Sequence, residues 1–130
     1  MTALLITNPR DIDGFVKELK KYRFEVITGV NTLFDALLNN ENFKEVDFSR
    51  LKLSVGGGMA IQQSVATRWH DLTGCNIIEG YGMTECSPLI AACPINVVKH
   101  NGTIGVPVPN TDIKIIKDDG SEAQLGEAGE

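Results

Sequence analysis

Four short apolar runs, Ala3 to Thr7, Glu25 to Thr28, Leu51 to Val55 and Asn76 to Glu79, alternate with three amphipathic stretches over the first eighty residues. No other feature constrains the fold as much. Strand and helix repeated with short connections predict a mainly parallel sheet with flanking helices. In such sheets ligands sit beyond the carboxyl ends of the strands. Ala3 to Thr7 is continuously apolar until Asn8-Pro9 breaks it, and reads as a strand buried on both faces.

The helices follow from spacing. Ile12, Phe15, Val16 and Leu19 fall at i, i+3, i+4 and i+7 behind a cap at Asp11 or Asp13, with Lys17, Glu18, Lys20 and Lys21 turned outward. Leu33, Phe34, Leu37 and Leu38 share a second helical face, capped by Asn31 or Thr32 and stopped at Asn39-Asn40. Residues 41–50 are polar and read as a connection, with a helical turn at Asp47 to Arg50. A third helix, about Ile61 to Leu72, carries Ile61, Val65, Trp69 and Leu72 on one face, and Gly74 closes it.

Two of the predicted strands end in glycines. Gly56-Gly57-Gly58 lacks the Gly-Lys-Ser/Thr of a phosphate loop and the Gly-x-Gly-x-x-Gly of a dinucleotide fold, so alone it reads as a tight strand-to-helix turn. After Glu79 the order is Gly80-Tyr81-Gly82-Met83-Thr84-Glu85. Glycines let backbone approach a ligand closely, Tyr81 offers a flat face to a base, Thr84 a hydroxyl to a phosphate, and Glu85 a carboxylate to a hard cation such as Mg²⁺. The plainer reading is a turn, a packed Tyr and a Thr-Glu pair that opens a helix. If the strands of the two glycine segments are neighbours, the segments form opposite walls of one crevice.

Beyond Pro88 the pattern changes. Leu89 to Cys93 is a run of small apolar residues, Pro94 to Lys99 is irregular, and Gly102, Gly105, Pro107 and Pro109 exclude a helix. Asp112 to Lys117 alternates, and Asp118-Asp119-Gly120 turns the chain toward a hairpin partner. We expect antiparallel strands here, with a junction near residues 95–101.

Composition narrows the function. A net charge of -5 without a basic stripe argues against nucleic acid. No apolar run reaches the roughly 18 residues of a transmembrane span, and no basic segment leads into a long apolar core, so a soluble cytoplasmic protein is expected. Cys75, Cys86 and Cys93 form no Cys-x-x-Cys, and His70 and His100 are far apart in sequence, which disfavours zinc and a disulfide framework.

The ordered string Gly80 to Glu85 resembles the adenine and Mg²⁺ signature of the adenylate-forming enzymes, the superfamily of acyl-CoA synthetases, luciferases and peptide-synthetase adenylation domains. Thr103 to Pro109 is similar to the segment that opens that family's small β-barrel, and Gly126-Glu127-Ala128-Gly129-Glu130 to the sequence after its hairpin. Ile27 to Phe34, together with Gly56 to Met59, most resembles bacterial long-chain fatty-acid CoA ligases. The resemblance implies residues 1–95 as an α/β subdomain with acyl- and adenine-binding segments, and 96–130 as the start of an incomplete β-barrel subdomain.

It also implies a function: ATP-dependent activation of a long-chain fatty acid to acyl-adenylate, then transfer to CoA, with Mg²⁺ as cofactor. By the same resemblance Tyr81 stacks on adenine, Glu79, Gly80 and Gly82 flank it, and Thr84 holds the α-phosphate. Glu85 ligates Mg²⁺, so Thr84 and Glu85 are the catalytic candidates. Gly57, Gly58 and Met59 line the space shared by adenine and acyl carbonyl, and Val30, Asn31 and Phe34 are acyl-tunnel candidates, with ordinary packing the competing reading. Ala60 stands where many relatives have proline. The family's phosphate loop, ribose-binding Asp, hinge and catalytic Lys have no counterpart in these residues. The chain therefore reads as an inactive piece of a larger enzyme whose intact form allows peripheral contact with the inner membrane. The alternatives are an adenylate former for another carboxylic acid and a non-catalytic acidic α/β binding module.

Overall fold

Asp11 starts the first helix: its carboxylate accepts a hydrogen bond from the Gly14 amide at 2.9 Å, and α1 runs Ile12–Leu19 with Phe15, Val16 and Leu19 buried. The structure is a computed structural model that describes residues 2–96 and 102–130. Residues 97–101, which hold most of the expected junction at 95–101, the second half of the irregular stretch Pro94 to Lys99, and His100, lie outside the described residues.

β1 (Val26–Gly29), β2 (Leu53–Gly56) and β3 (Ile77–Gly82) are parallel neighbours, joined through α2 (Asn31–Asn39) and α3 (Gln63–Thr73). β4 (Leu89–Ala92) and β5 (Val106–Pro107) extend the same sheet antiparallel, in the order β1-β2-β3-β4-β5. This is the mixed α/β sheet with flanking helices that the sequence predicts. In β1, Ile27 is buried between exposed Val26 and Thr28, the alternation of a strand covered on one face. All three helices feed one apolar cluster centred on Trp69. Phe34 meets its indole edge-on with centroids 4.7 Å apart, and the indole Nε1 donates to Ser54 Oγ at 3.0 Å, which satisfies the one polar atom that burial would strand.

Several expectations are corrected. Ala3 to Thr7 forms no strand: only Ile6 packs against the core, half-buried, while Leu5 is 83% exposed, so a run read as buried on both faces is covered at a single residue. The cap of α2 is Val30, with no side-chain hydrogen bond, rather than Asn31 or Thr32. Residues 41–50 do more than connect: a 3-10 helix spans Glu41–Glu45 and drives Phe43 and then Val46 into the core. The turn expected at Asp47 to Arg50 is an Asx turn, with Ser49 N donating to Asp47 Oδ1 at 3.0 Å.

The change to antiparallel pairing comes early. It occurs inside β3 at Gly80, which already pairs with Ala92, and the strand continues past Glu79. Asp112 to Lys117 forms no strand among the described residues: Ile116 exchanges backbone hydrogen bonds with Glu130, at 2.6 and 2.8 Å, and bridges Glu122 across the Asp118-Asp119-Gly120 turn. Its flanking bonds, Lys117 N to Ser121 O and Ala123 N to Ile115 O, are both 2.8 Å.

Surface carboxylates set an acid limit on stability. Hydrogen bonds and charge from Lys52 and Arg50 hold Glu25 below the usual carboxylate range, Ser49 does the same for Asp47, Ser121 for Asp119, and the Gln124 amide with Lys117 for Glu127. A pKa depressed on folding adds stability above the unfolded value and loses it as pH falls through the folded one. The melting temperature is therefore expected to decline below about pH 4. Paired Glu25→Gln and Glu127→Gln substitutions should flatten that slope in melts at graded pH.

Candidate functional site

The carboxyl ends of the three parallel strands are level, since Gly29 pairs with Gly56 and Gly56 with Glu79. The neighbour relation required for opposed walls therefore holds. A Cβ on Gly57 would stand 3.5 Å from the Gly80 carbonyl oxygen, and the Gly57 amide donates to Gly29 O at 3.2 Å.

Gly58, at φ 77°, occupies the left-handed region that a side chain resists, and the turn it makes leaves Met59 exposed. A Cβ at Gly58 would lie 3.6 Å from Val30 Cγ1, so Val30, Gly58 and Met59 form one exposed lip beside the strand ends. Asn31 and Phe34 lie behind it. Phe34 is fully buried against Trp69, and the Asn31 side chain, also buried, accepts the Gln62 amide at 2.8 Å through Oδ1.

On the other wall, β3 changes partner at Gly80 and bulges between Tyr81 and Gly82. Tyr81 is 43% exposed. Gly82 packs so tightly that a Cβ there would overlap the Pro88 carbonyl. The chain then reverses through a 3-10 turn, Thr84–Cys86, held by Cys86 N to Met83 O at 3.0 Å and Ser87 N to Thr84 O at 3.3 Å. Ser87, at φ 62°, completes the reversal.

Thr84 and Glu85 stand exposed on that turn, and among the described residues neither side chain has a hydrogen-bond or ion-pair partner. No group of three or more His, Cys, Asp and Glu among the described residues could hold a metal ion. One free carboxylate is nonetheless the donor set Mg²⁺ uses when substrate phosphates and water complete its octahedron. Glu85 fits that role, and ligand phosphates would have to supply the rest.

Glu79 is different. Its carboxylate is turned inward, 9% exposed, and Oε1 accepts the Ile61 amide at 2.9 Å, while its carbonyl accepts the Cys93 amide at 2.8 Å. The sequence reading missed Ile61 and Gln62 as anchor points. A signal existed for Gln62: Val65, three residues past the cap, has no side-chain acceptor to return to the Gln62 amide, which must find one in another element.

Over residues 1–130 the chain matches the AMP-binding enzyme family. It is 92% identical over 130 residues to a long-chain-fatty-acid–CoA ligase of Haemophilus influenzae, and 59% identical over 127 residues to one of Escherichia coli O157:H7. Those alignments cover 100% and 98% of this chain but 23% of each relative, so the chain spans about a quarter of their length. Among solved structures, a benzoate CoA ligase from Burkholderia xenovorans superposes with a TM-score of 0.87 at 27% identity, covering 98% of this chain and 26% of that one.

Proposed function

This chain belongs to the AMP-binding enzyme family, and from that premise we propose that it forms the adenine-binding and part of the acyl-binding region of a long-chain fatty-acid CoA ligase. The observation that carries the proposal is the pairing of β2 with β3. It brings the segment Gly57-Gly58-Met59 beside Gly80-Tyr81-Gly82 through Gly57 and the Gly80 carbonyl, and Thr84 and Glu85, unpartnered among the described residues, follow. Identity of 92% to a ligase named for long-chain fatty acids supports that substrate class. The likeness to a benzoate CoA ligase favours an aryl acid as the second reading.

In the proposed reaction a fatty carboxylate oxygen attacks the α-phosphorus of ATP. The new acyl–phosphate bond displaces pyrophosphate, and CoA thiolate then attacks the acyl carbonyl and displaces AMP. Tyr81 lies on the adenine face, and the backbone of Glu79, Gly80 and Gly82 runs along its edge. Thr84 donates its hydroxyl to an α-phosphate oxygen where negative charge grows. Bound Mg²⁺ supplies charge neutralisation on the transferring phosphate, and the Glu85 carboxylate would hold it. Gly57, Gly58 and Met59 form the wall shared by adenine and acyl carbonyl, close because two of the three lack side chains. Val30 is the acyl contact, with Asn31 and Phe34 supporting it from behind.

Residues 96–130 belong, in this proposal, to the start of a β-barrel subdomain. Among the described residues no helix is long and apolar enough to cross a membrane. We place the reaction in the cytoplasm, where ATP and CoA are available, with peripheral contact at the inner membrane as the source of the acid.

A substrate panel tests the reading. Pyrophosphate release by the full-length enzyme should be strong with oleate and weak with benzoate, and the reverse order would favour the aryl reading. The 130-residue chain alone, given ATP, Mg²⁺, CoA and oleate, is expected to form no acyl-CoA by chromatography, because phosphate-loop and lysine chemistry is not in it. Turnover by this chain would overturn the assignment of those steps elsewhere.

A further inference from the structure

We infer that Glu79 and Asn31 are positioning residues, one on each side, that fix the loop between β2 and α3 by accepting its last two amides. The inference rests on the proposed role of that loop as the wall between acyl and adenine sites. It assigns the Glu79 side chain to the protein rather than to adenine, and Asn31 to the loop rather than to the acyl chain.

The need arises at the start of α3. Gln62 occupies the cap position and makes no side-chain cap, and Val65, three residues on, cannot return a side chain to the cap amide as Glu or Gln does in a capping box. Ile61 is 4% exposed, so its amide has little access to water, and an unmet buried amide is costly. Acceptors come instead from flanking elements: Glu79 Oε1 from the middle of β3 takes the Ile61 amide at 2.9 Å, and Asn31 Oδ1 from the start of α2 takes the Gln62 amide at 2.8 Å.

The loop issues from β2, which lies between β3, the strand that carries Glu79, and β1, the strand that leads into Asn31. Its outer part, Gly58 to Ala60, is exposed. It is therefore located from its base, by Gly57 N to Gly29 O on one end and by Ile61 and Gln62 on the other. Loss of either acceptor shifts a wall that both substrates share. A direct adenine contact by Glu79 would affect ATP alone.

The test uses the full-length enzyme with four variants. Glu79→Gln and Asn31→Asp keep an acceptor oxygen, whereas Glu79→Leu and Asn31→Leu remove it. Expected are KM values for both oleate and ATP that rise roughly tenfold in each Leu variant, with kcat changing less, and near-normal values in Gln and Asp variants. Hydrogen exchange by mass spectrometry should quicken across residues 57–62 in the Leu variants, with thermal melts confirming that they fold. Because both acceptors hold one loop, the double Leu variant should fall short of the product of the single effects.

A rise confined to the KM for ATP, or unchanged exchange at 57–62 in Glu79→Leu, would overturn the inference. So would a Gln variant as impaired as the Leu one, since the carboxylate charge would then matter rather than its acceptor. If the wild-type enzyme failed to activate fatty acids, the functional proposal would fall, while the exchange measurement would still decide whether these side chains hold the loop.

Discussion

Glu85→Gln in the full-length ligase is expected to cut pyrophosphate release by roughly 10²- to 10³-fold at limiting Mg²⁺, the scale of losing one charge-stabilising group from a reaction centre. The substitution keeps size and hydrogen-bonding capacity and removes only the charge that holds a hard cation. Glu85 is exposed and, among the described residues, forms no ion pair, so no structural contact is lost and the melting temperature should barely move. Raising Mg²⁺ should recover part of the rate. Tyr81→Phe keeps the stacking face and should stay within about threefold of the parent, since its ring carries the contact. Near-normal adenylation by the Gln variant at limiting Mg²⁺ would remove Glu85 from the site.

Gly82→Ala is expected to lower stability and activity together. The added methyl would collide with the Pro88 carbonyl and the start of β4, both backbone, so neither can rotate away. Overpacking of this kind costs about 1–3 kcal/mol or more. The same shift moves the turn that carries Thr84 and Glu85, and a displacement of about 1 Å can cost on the order of 100-fold in rate. Gly120→Ala is the control: unlike Gly82 it sits at positive φ, at 82°, and nothing lies within 4 Å of the added carbon. It should lose of order 1 kcal/mol from backbone strain with adenylation intact. Melting temperature and pyrophosphate release, measured on both variants, separate the two outcomes. Equal effects at Gly82 and Gly120 would show that the close packing of Gly82 against Pro88 and Leu89 does not govern the site.

The three helices were legible because each writes its buried face at helical spacing: Phe15, Val16 and Leu19, then Phe34 and Leu37, then Val65 and Trp69, all buried as expected. The strand at Ala3 to Thr7 failed because apolar content alone does not create a neighbour to pair with. Phe43 was overlooked for the opposite reason. A single aromatic in a polar stretch has no periodicity, and only the cavity between α1, α2 and α3 decides that it goes inside.

In the candidate site, residue order alone specifies which chemistry is on offer: two glycine segments after apolar runs, a Tyr between glycines, and Thr84-Glu85 following. Those are local properties, carried by residue type and order. Tertiary structure decided that the segments are neighbours, because strand order is a long-range pairing. It also decided that β3 turns from parallel to antiparallel at Gly80. The direction of a polar side chain depends on which unmet amide lies within reach, and that is set by packing between elements distant in sequence. Glu79 and Asn31 reach 18 and 31 residues along the chain to the amides of Ile61 and Gln62, separations at which no local pattern specifies a partner.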